Sequence, residues 1–196
     1  MTVTDNALIP TSSALDRLKK TAERDSLDDL VNARTRRSLL LVDCSSSMGG
    51  LIQTGERRID ALRKVWTTLR SSNPVPTAAF GVRGSAVELV EVIPEPSGMT
   101  PLHLAIAYGR EQGANHLVVI TDGCPDSEVK AFEQAALFGG PIDVFYIGNG
   151  NDSGASFCAE LARRTGGQCG VTDLAGDVTQ KQLAGKIAGL LGDGGL

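Results

Sequence analysis

The sequence predicts an α/β protein in which helices cover both faces of a doubly wound, mostly parallel β-sheet. From residue 37 onward, short apolar runs that suit buried strands alternate with longer segments whose apolar residues recur at helical spacing. This alternation is typical of parallel sheets, because a parallel strand pair needs a crossover connection, usually a helix. With 196 residues, the chain is long enough for one domain with a sizeable core.

The predicted elements follow one another closely along the chain. The first strand contains an uncharged run at 39–42, and a later strand contains the fully apolar run 117–120. The break at 81–85 is too short for a crossover helix, so the strands on either side of it are expected to form an antiparallel hairpin. In chain order, we expect strands at 38–43, 77–82, 86–92, 116–121, 142–147 and 169–172, and helices at 57–71, 101–112, 127–138, 154–165 and 177–191.

Two of the predicted helices show a clear apolar face. In the last helix, a buried stripe of Leu183, Ile187 and Leu190 is expected. In the first helix, the residues at helical spacing are Ile59, Leu62, Val65, Trp66 and Leu69. Each face predicts packing against the sheet.

The two ends of the chain differ from the alternating region. Residues 1–36 are expected to form an amphipathic helical arm, in which Ser13 and Ser26 are placed to cap two short helices. Residues 192–196 are glycine-rich and are expected to form a flexible tail. The predicted domain is therefore 37–191.

Composition and charge exclude several classes of function. The formal net charge of −4 offers no basic surface to a phosphate backbone, so nucleic acid is not expected as a partner. No segment reaches the roughly 18 consecutive apolar residues of a membrane span, and no signal peptide is recognised, so we expect no membrane and a cytoplasmic location. The four cysteines show no CxxC spacing, which predicts neither a zinc site nor a redox pair.

Oxygen-bearing side chains follow the predicted strands at one edge of the sheet. Asp43, Ser45 and Ser47 come at the end of the first strand, Thr100 precedes a helix, and Asp122 follows the strand at 116–121. Ligands of open α/β sheets bind beyond the carboxyl ends of the strands, where strand order reverses, so these side chains are expected to converge there. Oxygen ligands without histidine or cysteine suit a hard divalent ion, Mg²⁺, with Mn²⁺ or Ca²⁺ as substitutes.

These motifs resemble the metal-ion-dependent adhesion site (MIDAS) of von Willebrand factor A (vWA) domains. The resemblance rests on DxSxS at 43–47, a loop threonine and TDG at 121–123, and it covers 37–191. It implies a Rossmann-like fold with six strands, one of them an antiparallel edge strand, and a metal bound by Ser45, Ser47 and Thr100, with Asp43 and Asp122 often acting through water. Ser46 departs from the pattern, since many vWA domains have glycine there.

Such a site predicts a metal-dependent interaction module rather than an enzyme. An ion held mainly by hydroxyls and water keeps an exchangeable position, which an acidic side chain of a partner protein can fill. Residues flanking the motifs are candidates for a partner-binding rim, although each is also suited to capping a helix or shaping a loop. The rim candidates are Met48, Gln53, Met99, His103, Pro125 and Asp126.

Alternatives remain open at this point. Taken alone, the DCSSS segment is more typical of turn and helix-cap chemistry than of a metal site. A metal-dependent hydrolase would have only His103 and Asp126 as candidate bases, and the sequence lacks both GxxxxGK[ST] and GxSxG. Among binding roles, the chain resembles vWA proteins that serve as adaptors for AAA+ ATPases of the MoxR type. A structural subunit whose metal joins identical copies is a third alternative.

Overall fold

The computed structural model describes residues 37–72 and 74–192. The predicted N-terminal arm, 1–36, lies outside the described residues, as do residues 193–196 of the predicted tail. Within the described ranges, none of the helices combines the length and the apolar character needed to cross a membrane.

Six strands form one sheet in the order β3-β2-β1-β4-β5-β6. Their bounds are β1 Ser38–Asp43, β2 Thr77–Phe80, β3 Glu88–Leu89, β4 His116–Thr121, β5 Ile142–Ile147 and β6 Cys169–Thr172. Neighbouring strands are parallel except for β2 and β3, which pair antiparallel at the edge. The predicted α/β fold class, doubly wound and Rossmann-like with one antiparallel edge strand, is confirmed.

Helices cover both faces of the sheet. Their bounds are α1 Arg58–Ser72, α2 Leu102–Glu111, α3 Glu128–Phe138, α4 Ser153–Thr165 and α5 Asp177–Gly192, and a short 3-10 helix spans Ser46–Gly49. One hydrophobic cluster lies between the sheet and helices α1 and α5, and a second lies between the sheet and helices α2, α3 and α4. Because successive side chains of a strand point to opposite faces, Leu40 and Val42 of β1 join the first cluster, whereas Leu39 and Leu41 join the second.

Three elements differ from their predicted form, and the first of them is β2, which ends at Phe80 instead of at residue 82. The third strand has only the two residues Glu88–Leu89 instead of 86–92, because the chain beyond it turns toward α1, where Arg70 donates to the main-chain carbonyl of Glu91 at 2.8 Å. In α5 the fully packed third residue is Leu191, and the predicted Leu190 is only partly buried. Leu191 continues the four-residue spacing of Leu183 and Ile187, which keeps all three on one helix face.

The topology places one crevice at the carboxyl edge of the sheet. From β1 the chain proceeds to β2 on one side, whereas from β4 it proceeds to β5 on the other side. The loops that follow β1 and β4 therefore diverge, and the space between them is where ligands of such folds bind.

Candidate functional site

Asp43, the last residue of β1, is held rigidly at the base of this crevice. Its side chain is completely buried. The Oδ1 atom accepts a hydrogen bond from the main-chain N–H of Ser45 at 2.7 Å, and Oδ2 accepts one from the hydroxyl of Thr121 at 2.5 Å. Since Thr121 ends β4, this carboxylate joins the ends of the two strands that flank the crevice.

A chain of hydroxyls leads from the interior to the surface. The Oγ atoms of Ser45 and Ser47 lie 3.0 Å apart, and the Ser47 hydroxyl donates to Oδ1 of Asp122 at 2.7 Å. Ser45 is buried, whereas Ser47 is exposed. The two motifs that follow β1 and β4 are therefore in direct contact, as their positions in the sequence predicted.

Thr100 faces the same small space from a third segment. A Cβ atom built on Gly123 would lie 3.6 Å from Oγ1 of Thr100 and 3.7 Å from Oγ of Ser47. The Thr100 main chain is fixed by Asp126, whose Oδ1 accepts the Thr100 N–H at 2.8 Å. The absence of a side chain at residue 123 thus leaves room beside two hydroxyls, and all three motifs converge on it.

Two glycines that the sequence analysis did not single out allow the loops to close. A Cβ on Gly98 would lie 2.4 Å from the carbonyl oxygen of Gly81, and one on Gly81, whose φ is +85°, would lie 2.8 Å from the Ser45 nitrogen. Ser46 donates to the Gly98 oxygen from both its main-chain nitrogen, at 2.9 Å, and its hydroxyl, at 3.0 Å. The serine that departs from the vWA pattern therefore ties the motif loop to its neighbour.

The site brings two carboxyl groups into a buried place. Burial raises the pKa of the Asp43 carboxyl to about 7, against the opposing hydrogen bonds from Thr121 and Ser45. Burial also raises the pKa of Asp122, against the opposing effects of Ser47 and Arg58. Desolvated carboxylates are stabilised by a nearby cation, so the site is electrostatically suited to one.

Arg58, at the first position of α1, supplies a positive charge that the sequence analysis missed. Its Nη1 atom lies 2.8 Å from Oδ2 of Asp122 and donates to the carbonyl oxygen of Ser47 at 3.1 Å. The Asp122 carboxylate has no exposed surface, whereas 30% of the Arg58 side chain is exposed. No local pattern marks Arg58, because 64 residues separate it from Asp122 in the chain.

The donor set fits a hard divalent ion. Among the described residues, no group of three or more His, Cys, Asp or Glu side chains could hold a metal. An ion here would depend on hydroxyl oxygens as well as the two carboxylates, and the open volume beside Gly123 is bordered by two of those hydroxyls. Such oxygen ligands match the preference of Mg²⁺.

The rim predicted from the sequence is only partly accessible. Gln53, Met99 and Asp126 are exposed, and Met99 retains 72% of its accessible surface. Met48 and Pro125 were predicted wrongly, because both are buried, Met48 within the core beneath the 3-10 helix. For these two residues the sequence contains no signal that their side chains point inward.

His103 and Asp126, the two candidate bases, differ in their surroundings. His103 is half-buried, and within the described part of the chain its Nδ1 atom is buried without a hydrogen-bond partner. Asp126 already accepts the Thr100 N–H, and its own N–H donates to the Thr100 oxygen at 3.0 Å. Asp126 therefore shapes the threonine loop, as its alternative role predicted.

A second polar network, which the sequence analysis did not predict, lies at the amino ends of the strands. The Ser38 hydroxyl is 2.8 Å from Nδ1 of His116, and Nε2 of His116 is 2.7 Å from Oδ2 of Asp143. This Ser–His–Asp order is that of hydrolase triads, but His116 has no exposed surface from which to pass a proton to a leaving group. We assign the network to stability, since it joins the first residues of β1 and β4 to β5.

Comparison with known proteins supports the fold. No protein-family model and no curated protein matches the chain. Among solved structures, the D319A mutant of the PilB minor pilin from Streptococcus sanguinis superposes with a TM-score of 0.55 at 15% identity, over 80% of this chain and 61% of that chain. The Deinococcus radiodurans RO (RSR) protein gives 0.46 at 19% identity, over 79% and 35%.

The sheet topology, which the first of these likenesses supports, defines the fold class. It places the chain among α/β proteins with a Rossmann-like, doubly wound sheet, and the chain spans 61% of the length of that pilin chain. Since likeness at such low identity shows the fold alone, the resemblance to vWA domains stays a prediction.

Proposed function

We propose that this chain is a vWA-type protein–protein interaction module, in which a bound Mg²⁺ ion receives an acidic side chain from a partner. The proposed metal ligands are Asp43, Ser45, Ser47, Thr100 and Asp122, with Mn²⁺ or Ca²⁺ as substitute ions. The observation that carries the proposal is the continuous chain of hydroxyls from Ser45 through Ser47 to Asp122, beside a buried Asp43.

The arrangement suits adhesion because its outer ligand is accessible. The ion would supply a positive charge and an exchangeable coordination position, which neutral hydroxyl ligands leave largely intact. Ser47 is exposed beside the buried carboxylates, so a partner can approach from its side. Gln53 and Met99, two of the proposed rim residues, are exposed as well. A charge-assisted bond formed inside an interface is strengthened, because solvent screens it less.

The site alone calls for any partner protein with an accessible acidic side chain, and we propose a narrower class of partner. We infer that the module works in the cytoplasm as an adaptor for a MoxR-type AAA+ ATPase, and that it is not itself an enzyme. This inference rests on the vWA resemblance and on motif order. Stimulation of such an ATPase by the purified chain, lost in the Ser45→Ala/Ser47→Ala variant, is the expected result.

One observation keeps a metal-dependent hydrolase as a second candidate. The buried Nδ1 of His103 has no hydrogen-bond partner among the described residues, and His103 follows the proposed ligand Thr100 by one helical turn. Turnover of a generic ester or phosphoester that disappears in both Asp43→Ala and His103→Gln would favour this candidate over the adhesion module.

The decisive experiment compares binding with and without metal. Mn²⁺ binding is measured by electron paramagnetic resonance for the wild type and for Ser45→Ala/Ser47→Ala, with circular dichroism as the control for folding. Pull-downs from lysate are then run in Mg²⁺ and in chelator. We expect Mn²⁺ to bind only the wild type, and at least one partner to be retained only by the wild type in Mg²⁺.

Two outcomes would contradict the proposal. Absence of Mn²⁺ binding to the folded wild type would remove the metal site altogether. Identical partners in all conditions would show that the metal does not mediate adhesion. A mass in size-exclusion chromatography that falls in chelator would instead support a structural subunit whose copies are joined by the ion.

A further inference from the structure

Arg58 is the cation that contacts the buried Asp122 carboxylate. Its Nη1 atom lies 2.8 Å from Oδ2, while Oδ1 of the same carboxylate accepts the Ser47 hydroxyl at 2.7 Å. Both oxygens of Asp122 thus have protein partners, one of them positively charged. A divalent ion that uses this carboxylate would meet a guanidinium already in place.

The local structure holds Arg58 in this position at some cost. As the first residue of α1, it lies at the helix end where the macrodipole disfavours a positive charge. Its N–H donates to the Gly50 oxygen at 2.9 Å, and a Cβ on Gly50 would lie 2.9 Å from its Nη1. A glycine at residue 50 therefore gives the guanidinium room to reach Ser47 and Asp122, and this ion pair offsets the unfavourable helix position.

An open crevice beside Arg58 offers the guanidinium a second position. Arg58 borders a crevice of about 740 Å³ between residues 51–53, the carboxyl ends of β5 and β6, and α5. Asp173, the exposed residue that directly follows β6, lines the same crevice and offers a carboxylate in solvent. The Arg58 side chain is partly exposed beside this open space.

We propose that Arg58 is a tethered cation that pairs with Asp122 in the metal-free protein and competes with the divalent ion for that carboxylate. This inference rests on the proposed metal-binding function. The guanidinium orients the Asp122 carboxyl when no metal is present, and it must leave or be repelled when metal enters, since two cations at one desolvated carboxylate repel each other. Arg58 thereby raises the metal concentration at which the adhesive face forms.

The test compares metal affinity in matched arginine variants. Mn²⁺ dissociation constants are measured by electron paramagnetic resonance, with Mg²⁺ as competitor, for the wild type, Arg58→Gln, Arg58→Lys and the control Arg57→Gln. Arg57 neighbours Arg58 but pairs with Asp60 and Glu95 instead of Asp122. We expect Arg58→Gln to bind Mn²⁺ about tenfold more tightly, the order of one lost charge pair at a partly exposed site, with Arg57→Gln unchanged and Arg58→Lys between them.

The outcomes separate this inference from the proposed function. If the wild type binds Mn²⁺ and folded Arg58→Gln binds it equally or less tightly, Arg58 is not a competitor and this inference alone fails. If neither binds Mn²⁺, the proposed function fails and this inference fails with it. If Arg58→Gln does not fold, Arg58→Lys still tests the inference, because it keeps the positive charge. A Mn²⁺ affinity moderately higher than that of the wild type would then support competition.

Discussion

Polar networks that contain serines and aspartates lie at both ends of the strands, on β1 and its neighbours. The two networks differ in how far their side chains are exposed to solvent. At the amino end, both nitrogens of His116 are used, by Ser38 and Asp143, and Asp143 also accepts the Gln168 N–H at 2.6 Å. At the carboxyl end, the network includes the exposed Ser47, whose hydroxyl donates to the buried Asp122.

This difference separates a stabilising network from the one proposed to bind metal. A polar group that is buried and fully paired contributes to folding, and its loss leaves partners unsatisfied. A network that reaches solvent with concentrated negative charge retains capacity for a ligand. The expected effects of mutation follow from this contrast: loss of stability at the amino end and loss of metal binding at the carboxyl end.

The largest stability effect is expected for Asp143→Ala. The substitution leaves the Nε2 atom of His116 and the N–H of Gln168 without their acceptor, and each lost partner costs about 1–3 kcal/mol when buried. We expect the free energy of unfolding to fall by about 3 kcal/mol in urea denaturation, with unchanged Mn²⁺ affinity in the folded state. A loss below about 1 kcal/mol would show that the amino-end network is not a stabilising one.

Metal binding at the carboxyl end of the sheet should stabilise the folded protein by an amount comparable to the loss expected for Asp143→Ala. At a free Mg²⁺ concentration of 100 times the dissociation constant, binding to the native state alone adds about 2.7 kcal/mol to the free energy of unfolding. Ser45→Ala/Ser47→Ala should abolish this gain. Denaturation in Mg²⁺ and in chelator measures it, and equal stabilisation of the variant would place the metal elsewhere.

Gly98→Ala should affect the carboxyl end alone. The added Cβ would overlap the Gly81 oxygen and force apart the loops that hold Ser45 and Ser46, at a cost of about 1–3 kcal/mol. Reduced metal affinity is expected along with the lost stability. Gly185→Ala, which introduces a Cβ into open space on α5, is the control and should be neutral or slightly stabilising.

The smallest effect is expected for Ser38→Ala. It removes one hydrogen bond of a part-buried hydroxyl to His116, worth about 1 kcal/mol, and His116 keeps its bond to Asp143. Thermal unfolding of Ser38→Ala and Asp143→Ala, measured in parallel, would show which variant loses more stability. An equal loss in both variants would show that the serine is as essential to the network as the aspartate.

The sequence by itself determined the fold class and the convergence of the motifs. Buried parallel strands appear as apolar runs, which is why four strands have the predicted bounds, including β1 and β4. Because the carboxyl ends of parallel strands share one edge, the positions of Asp43, Ser47 and Asp122 in the sequence were enough to predict their proximity. Hydrophobic periodicity is a local property of the sequence, and the topology of parallel sheets follows general rules. Both can therefore be predicted from a single sequence.

Only the tertiary structure decided which side chains complete or leave the site. Arg58 reaches Asp122 across 64 residues of chain, and Ser38 reaches His116 across 78. Met48 lies in the core although its neighbour Ser47 is exposed. Such contacts depend on the packing of separate elements against one another, and no periodicity within an element encodes them.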